Sequence, residues 1–219
     1  EIDDEVDEAT YVAREIRAAV DTGRFRYKDV AILFRTNEQP RLFEQELRAN
    51  KVPYVLIGGQ SFFDRREVRD LISYLKVIAN PDDELSLLRI INRPARGIGD
   101  GTVSKLLERA VESGESLWHV LPQATADGDV PQRGAENIER FRQMIDQYRK
   151  PMSQGRISEQ LNRLITEINY KGEIERQYKT PLEKVSRWSS VEELVNATSQ
   201  YERGADQPTL DGFLEDIAL

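Results

Sequence analysis

The sequence predicts a mainly α chain, with a small α/β piece at its N-terminus and a long helical body after it. Three observations carry that expectation. Two short apolar runs, Asp29 to Phe34 and Tyr54 to Ile57, alternate with helix-periodic segments, and they do so only before Gly59. Beyond Gly59, apolar residues recur at three- and four-residue steps, the period of an amphipathic helix, and no convincing strand follows. Charged residues make up 32% of the chain, spaced as on helices with wide solvated faces.

The elements follow in order. Val6, Ala9, Val12, Ala13, Ile16 and Val20 place a helix over about residues 6–20, and Gly23 ends it. Asp29 to Phe34 (DVAILF) reads as a buried strand. Gln39 to Asn50 returns to helical period through Leu42, Phe43 and Leu47, and Pro53 breaks it before the second strand candidate, Tyr54 to Ile57. Helix, strand, helix, strand is an α/β unit with parallel strands. In the body, helices are predicted over Arg66–Ala79, Glu84–Asn92, Thr102–Ser113, Ser116–Leu121, Ala135–Met152, Ile157–Asn169, Lys171–Tyr178, Val191–Arg203 and Thr209–Leu219. Asn80 to Asp83 is a turn with an N-cap signal, and Asp100 or Thr102 is the expected cap of the helix that follows. Residues 124–133, rich in Gly, Asp and Pro, read as a loop. Two strands make a poor sheet by themselves, so the chain reads as a piece of something larger.

Composition closes several routes. There is no cysteine, hence no disulfide framework and no thiolate metal site, and the single histidine, His119, has no metal or triad motif around it. No apolar run nears the ~20 residues of a membrane span. The acidic start, Glu1 to Glu8, has the wrong sign for an export signal. A reducing, cytoplasmic setting without membrane contact is expected. The net charge of −8 argues against a generic DNA-coating protein, yet the charge is uneven. Residues 1–21 carry eight acids against two arginines, while residues 89–109 carry five basic residues against two acids.

That basic stretch, RIINRPARGIGDGTVSKLLE, holds the most informative feature of the chain. Gly97 and Gly99 permit backbone angles and close approach that a side chain would block. Amides of such a turn and of the helix start behind it can converge on a phosphate oxygen, with Arg93, Arg96 and Lys105 adding charge-assisted contacts. The binding would be sequence-independent and salt-sensitive. The same residues also suit a plain corner between helices. A second candidate is Arg35, Thr36 and Asn37 at the exit of the first expected strand, the edge where α/β sheets bind ligands; Asn37 also suits a simple helix cap. A third, Phe62-Phe63, suits base stacking but is better read as a core anchor, with the charges of residues 64–70 paired within their own helix. There is no G-x-x-x-x-G-K-[ST] phosphate loop, no strand-borne Asp-Glu magnesium motif and no nucleophile elbow.

With those residues in view, the chain resembles the UvrD/PcrA/Rep family of superfamily 1 DNA helicases. DVAILFRTNEQPR is similar to the family segment patterned YRTNAQSR, and VPYVLIGGQSFFDRREVRDLISYLKVIANPDDELSLLRIINRPARGIG follows at the family's spacing. VEELVNATSQYE and LDGFLEDIAL resemble its stretch before the next helicase motif. The resemblance implies residues 1–57 as a partial RecA-like (P-loop NTPase type) 2A segment, residues 58–208 as a helical 2B insertion, and residues 209–219 as a helix returning to 2A. It implies an ATP-dependent 3′-to-5′ helicase in which ATP and magnesium are held outside this chain, leaving it without cofactor or catalytic residue. Arg35, Thr36 and Asn37 inherit a single-strand contact; Arg96, Gly97, Ile98, Gly99 and Thr102 inherit a duplex contact. The chain departs from the pattern at Phe34, where tyrosine is common, and at Pro40, where serine is common. Expected partners are a single-strand/duplex junction, the remaining helicase domains 1A, 1B and 2A, and repair or replication proteins. Two competing readings are a protein-interaction or autoinhibitory module with incidental DNA contact, and the same region of a nuclease-coupled recombination helicase.

Overall fold

A computed structural model describes residues 5–35, 40–57, 60–128 and 130–218. Eleven α-helices are described, and packing divides the chain into two units: Glu1–Arg65 with Glu215–Leu219, and Arg66–Leu214.

The first unit is built on two helices. Helix α1 spans Glu5–Asp21 and α2 spans Pro40–Ala49. Ala9 and Ala13 are fully buried on α1, and their small side chains let α2 approach closely. Ala13, Leu47 and Val52 form the core, with Ile16, Tyr27, Ile32 and Tyr54 packed around it. The two strands expected at 29–34 and 54–57 are not found among the described residues. No regular secondary structure is assigned there beyond Asp29. The physical reason is that apolar sequence alone does not make a strand; a neighbouring backbone must take up its hydrogen bonds. Nor is the first run buried as expected: Ile32 packs on the core of this unit while Leu33 is exposed, and in the second run Val55 and Ile57 are exposed as well.

The Phe62-Phe63 pair is buried, as its core reading expects. The rings meet edge to face, 5.1 Å apart. The pair is tied to α2, since the Phe62 N–H donates to Glu44 Oε1 at 3.2 Å and Arg41 lies over the Phe62 ring.

The second unit is helical throughout: α3 (Arg66–Ala79), α4 (Glu84–Ile90), α5 (Asp100–Ser113), α6 (Leu117–Ala126), α7 (Gln132–Ser153), α8 (Ile157–Glu167), α9 (Tyr170–Gln177) and α10 (Pro181–Gly204), with the start of α11 (Leu210–Ala218). Helix α3 is the centre. Val68, Leu71, Tyr74, Leu75, Val77 and Ile78 are buried on it, and it packs against α4, α7 and α10. Asp83 caps α4, its side chain accepting from the Ser86 N–H at 3.0 Å. Helix α10 begins ten residues earlier than its apolar pattern predicts. Thr180 and Glu183 form a reciprocal capping box and Pro181 opens the first turn.

Acid–base pairing in α3 departs from the expected intrahelical pattern. Asp70 is only 1% exposed. It accepts from Arg89 Nε at 2.7 Å and from the Tyr170 hydroxyl at 2.9 Å, with Arg93 Nη1 3.9 Å away. Glu67, equally buried, meets Arg187 at 3.4 Å. A carboxylate taken out of water needs several donors at once, and four-residue neighbours on one helix cannot supply them.

Candidate nucleic-acid interface

The glycine turn follows from how α4 stops. Pro94 cannot continue a helix, and after it the backbone reverses at Gly97, whose φ of 77° lies in the left-handed region. A Cβ at Gly97 would also come within 2.7 Å of Asn137 Nδ2 on α7, the far end of a side chain that would have to shift. Ile98 then plunges inward, with no exposure at all, and pins the bend to the core. Gly99 is the N-cap of α5, in place of the expected Asp100 or Thr102, and it offers no side chain to the helix start. The Thr102 and Val103 N–H groups return to the Gly99 carbonyl.

The outcome is a ledge of main chain. Gly97, Gly99, Asp100 and Gly101 are exposed. Among the described residues no hydrogen bond from their N–H groups is found. Gly99, Asp100 and Gly101 open α5, and the N–H groups of a helix start carry the partial positive charge that attracts an anion; Gly97 lies just before them. Arg93 is exposed beside them and Lys105 is exposed on α5 one turn beyond. Thr102 is half-buried, because α7 starts close by: a Cβ at Gly134 would sit 3.7 Å from Thr102 Oγ1.

Two expected contacts take other roles. Arg96 is turned into the protein. Its Nη1 donates to the Ile90 carbonyl at 3.2 Å and its Nη2 to the Arg93 carbonyl at 3.0 Å and to the Tyr74 hydroxyl, while its guanidinium lies 4.8 Å from the centre of the Phe141 ring. Carbonyls at and just beyond the end of α4, together with an aromatic face, hold it there. The side chain of Ile98 is buried, so that residue offers a ligand nothing but main chain. Tyr74 braces the same corner by donating to the Arg93 carbonyl at 2.5 Å. Burial pushes its hydroxyl up to about 12, so it remains a donor at ordinary pH.

Sequence reasoning passed over Asn92, Tyr74, Phe141 and Asn137, which shape the turn. Asn92 sits inside the same run, two residues before the proline, and that placement is a readable signal. The other three come from α3 and α7, far along the chain, and no local spacing points to them. Of the single-strand candidates, Arg35 is exposed in the first unit, while Thr36 and Asn37 lie outside the described residues. A cavity of about 780 Å³ lies in that unit and is lined in part by Arg48, Lys51, Tyr54 and Ser61. Among the described residues no group of three or more His, Cys, Asp or Glu is placed to hold a metal, and no helix is long and apolar enough to cross a membrane.

The chain is 32% identical over 217 residues to an ATP-dependent DNA helicase PcrA of Bacillus subtilis, covering 99% of this chain. It is 35% identical over 217 residues to proteins of the same name from Staphylococcus aureus and Staphylococcus epidermidis, covering 98% of it. In each case the chain spans 29% of the relative's length. The family described as the UvrD-like helicase C-terminal domain matches residues 1–219. The chain, over its whole length, belongs to the UvrD-like helicase C-terminal domain family.

Proposed function

We propose that this chain is the duplex-engaging part of an ATP-dependent 3′-to-5′ DNA helicase, and that the ledge from Gly97 to Gly101 grips the sugar-phosphate backbone ahead of the fork. The observation that carries the reading is the row of N–H groups on exposed residues, with no hydrogen bond from them found among the described residues, flanked by Arg93 and Lys105. Main-chain donors recognise phosphate oxygens regardless of base, as a motor that travels along any sequence requires. Thr102 lies at the edge of the same surface. Arg96 and Ile98 support it from inside. On this reading the second unit corresponds to the 2B insertion and the first to part of 2A, where Arg35, Thr36 and Asn37 meet the single strand.

The residues present do not fit a nucleotide-hydrolysis site. The chain has no phosphate-loop sequence, and no step of ATP turnover is assigned to it. ATP and magnesium belong to the remaining motor domains, which are partners of this chain together with the DNA junction. Its part is to hold and orient the duplex while those domains step, and thereby to regulate unwinding.

The test is binding of the chain to a duplex carrying a 3′ single-stranded tail, read across a salt series. Charge reversal at Arg93 with Lys105 is expected to weaken binding at least about tenfold near 0.1 M salt and to flatten the log–log salt dependence by roughly two. Unchanged affinity and slope would overturn the reading.

A further inference from the structure

Of the N–H groups along residues 96–101, those of Arg96 and Ile98 turn inward, and one side chain accounts for both. Asn92, two residues past the end of α4, places its carboxamide oxygen inside the loop. That single Oδ1 accepts from the Arg96 N–H at 2.8 Å and from the Ile98 N–H at 3.3 Å. With two alternate amides drawn inward, the amide between them, Gly97, and those of Gly99, Asp100 and Gly101 belong to exposed residues, and no hydrogen bond from them is found among the described residues. The reversal at Gly97, with its φ of 77°, makes the geometry possible. Arg96 closes the loop from below through the Ile90 and Arg93 carbonyls. Neither Asn92 nor Arg96 needs to meet the ligand to do this.

We infer that Asn92 is the positioning residue of the phosphate-gripping turn. Its carboxamide oxygen occupies the inner side of the loop as an internal stand-in for an anion, so the outer amides are set before a backbone phosphate arrives. A loop ordered in advance binds more tightly than one that must be ordered on contact. The inference rests on the proposed duplex contact, and its two halves are tested separately.

Amide hydrogen exchange of the full chain without DNA tests the internal bond. Asn92→Ala removes the acceptor, whereas Asn92→Asp keeps one. The expected result is that the Arg96 and Ile98 amides exchange about tenfold faster or more in the alanine variant, while the aspartate variant retains their protection and the α3 amides are unchanged in both. If α3 also loses protection in the alanine variant, the aspartate variant decides by the same criterion. Arg96 and Ile98 amides that are unprotected in the parent chain, or equally protected in Asn92→Ala, overturn the inference. Duplex binding tests the positioning role. Asn92→Ala is expected to bind about three- to tenfold more weakly with an unchanged salt slope, because no charge is lost; Arg93→Gln should lower the slope by about one. An alanine variant with altered exchange but parental affinity overturns the positioning role and leaves the duplex reading standing. A parent chain without salt-dependent duplex binding removes the duplex reading itself, and the positioning role with it.

Discussion

Gly97 is the residue at which backbone conformation, space and proposed chemistry meet. Its left-handed φ and the nearness of Asn137 both disfavour a side chain. Gly97→Ala is therefore expected to destabilise the second unit by about 1–2 kcal/mol, read as a shift in the urea midpoint. The glycine pair was legible in the sequence because G-x-G after a proline has few structural meanings. Arg96 is less legible for an equally physical reason: beside a glycine turn an arginine suits either a phosphate or main-chain carbonyls, and the aromatic face it meets, Phe141, comes from a distant helix. Asp216 makes a separate prediction. Burial raises its carboxyl above the ordinary value of 3.8, opposed by the hydrogen bond from Gln45. The folded state thus binds this proton more tightly than the unfolded chain, and stability falls as pH rises through the interval above 3.8. Asp216→Asn should raise the melting temperature at pH 7, and the gain should vanish below about pH 4.

At the scale of elements, helix existence was readable and helix ends less so. Periodicity placed α3 at its observed limits, Arg66–Ala79. It missed the first ten residues of α10, since residues 181–190 lack a clean apolar stripe and expose Leu182 and Val185. The signal there was the cap, T-P-L-E, and not the period. Thr180→Ala should cost about 1 kcal/mol and release exchange protection in the first turn of α10. The Glu183 half of the box adds a pH dependence. Hydrogen bonds from Thr180 hold its carboxyl below the usual value, so its contribution is present above that value and lost as pH falls through the carboxylate range. The two expected strands show the opposite failure. Their residue pattern is that of strands, but strand formation depends on a pairing backbone that the pattern does not encode.

Across the whole molecule, the helical unit is knitted by buried acids that reach between helices. Asp70 joins α3 to Arg89 on α4 and Tyr170 on α9, with Arg93 in range. Asp70→Ala leaves Arg89 without its partner and should destabilise this unit by roughly 3–5 kcal/mol in chemical denaturation, with Asp70→Asn costing less. Such pairings are invisible to a reading that takes one helix at a time. The division of labour proposed here makes that rigidity useful: a firm helical body holds out a short strip of main chain, and the strip grips the duplex. The most direct measurement is an amide ¹⁵N titration of the chain with short duplex DNA. The expected result is that the Gly97, Gly99, Asp100 and Gly101 resonances shift first and furthest, and that the shifts reverse as salt is added. Duplex binding that leaves those four resonances unmoved would contradict the account.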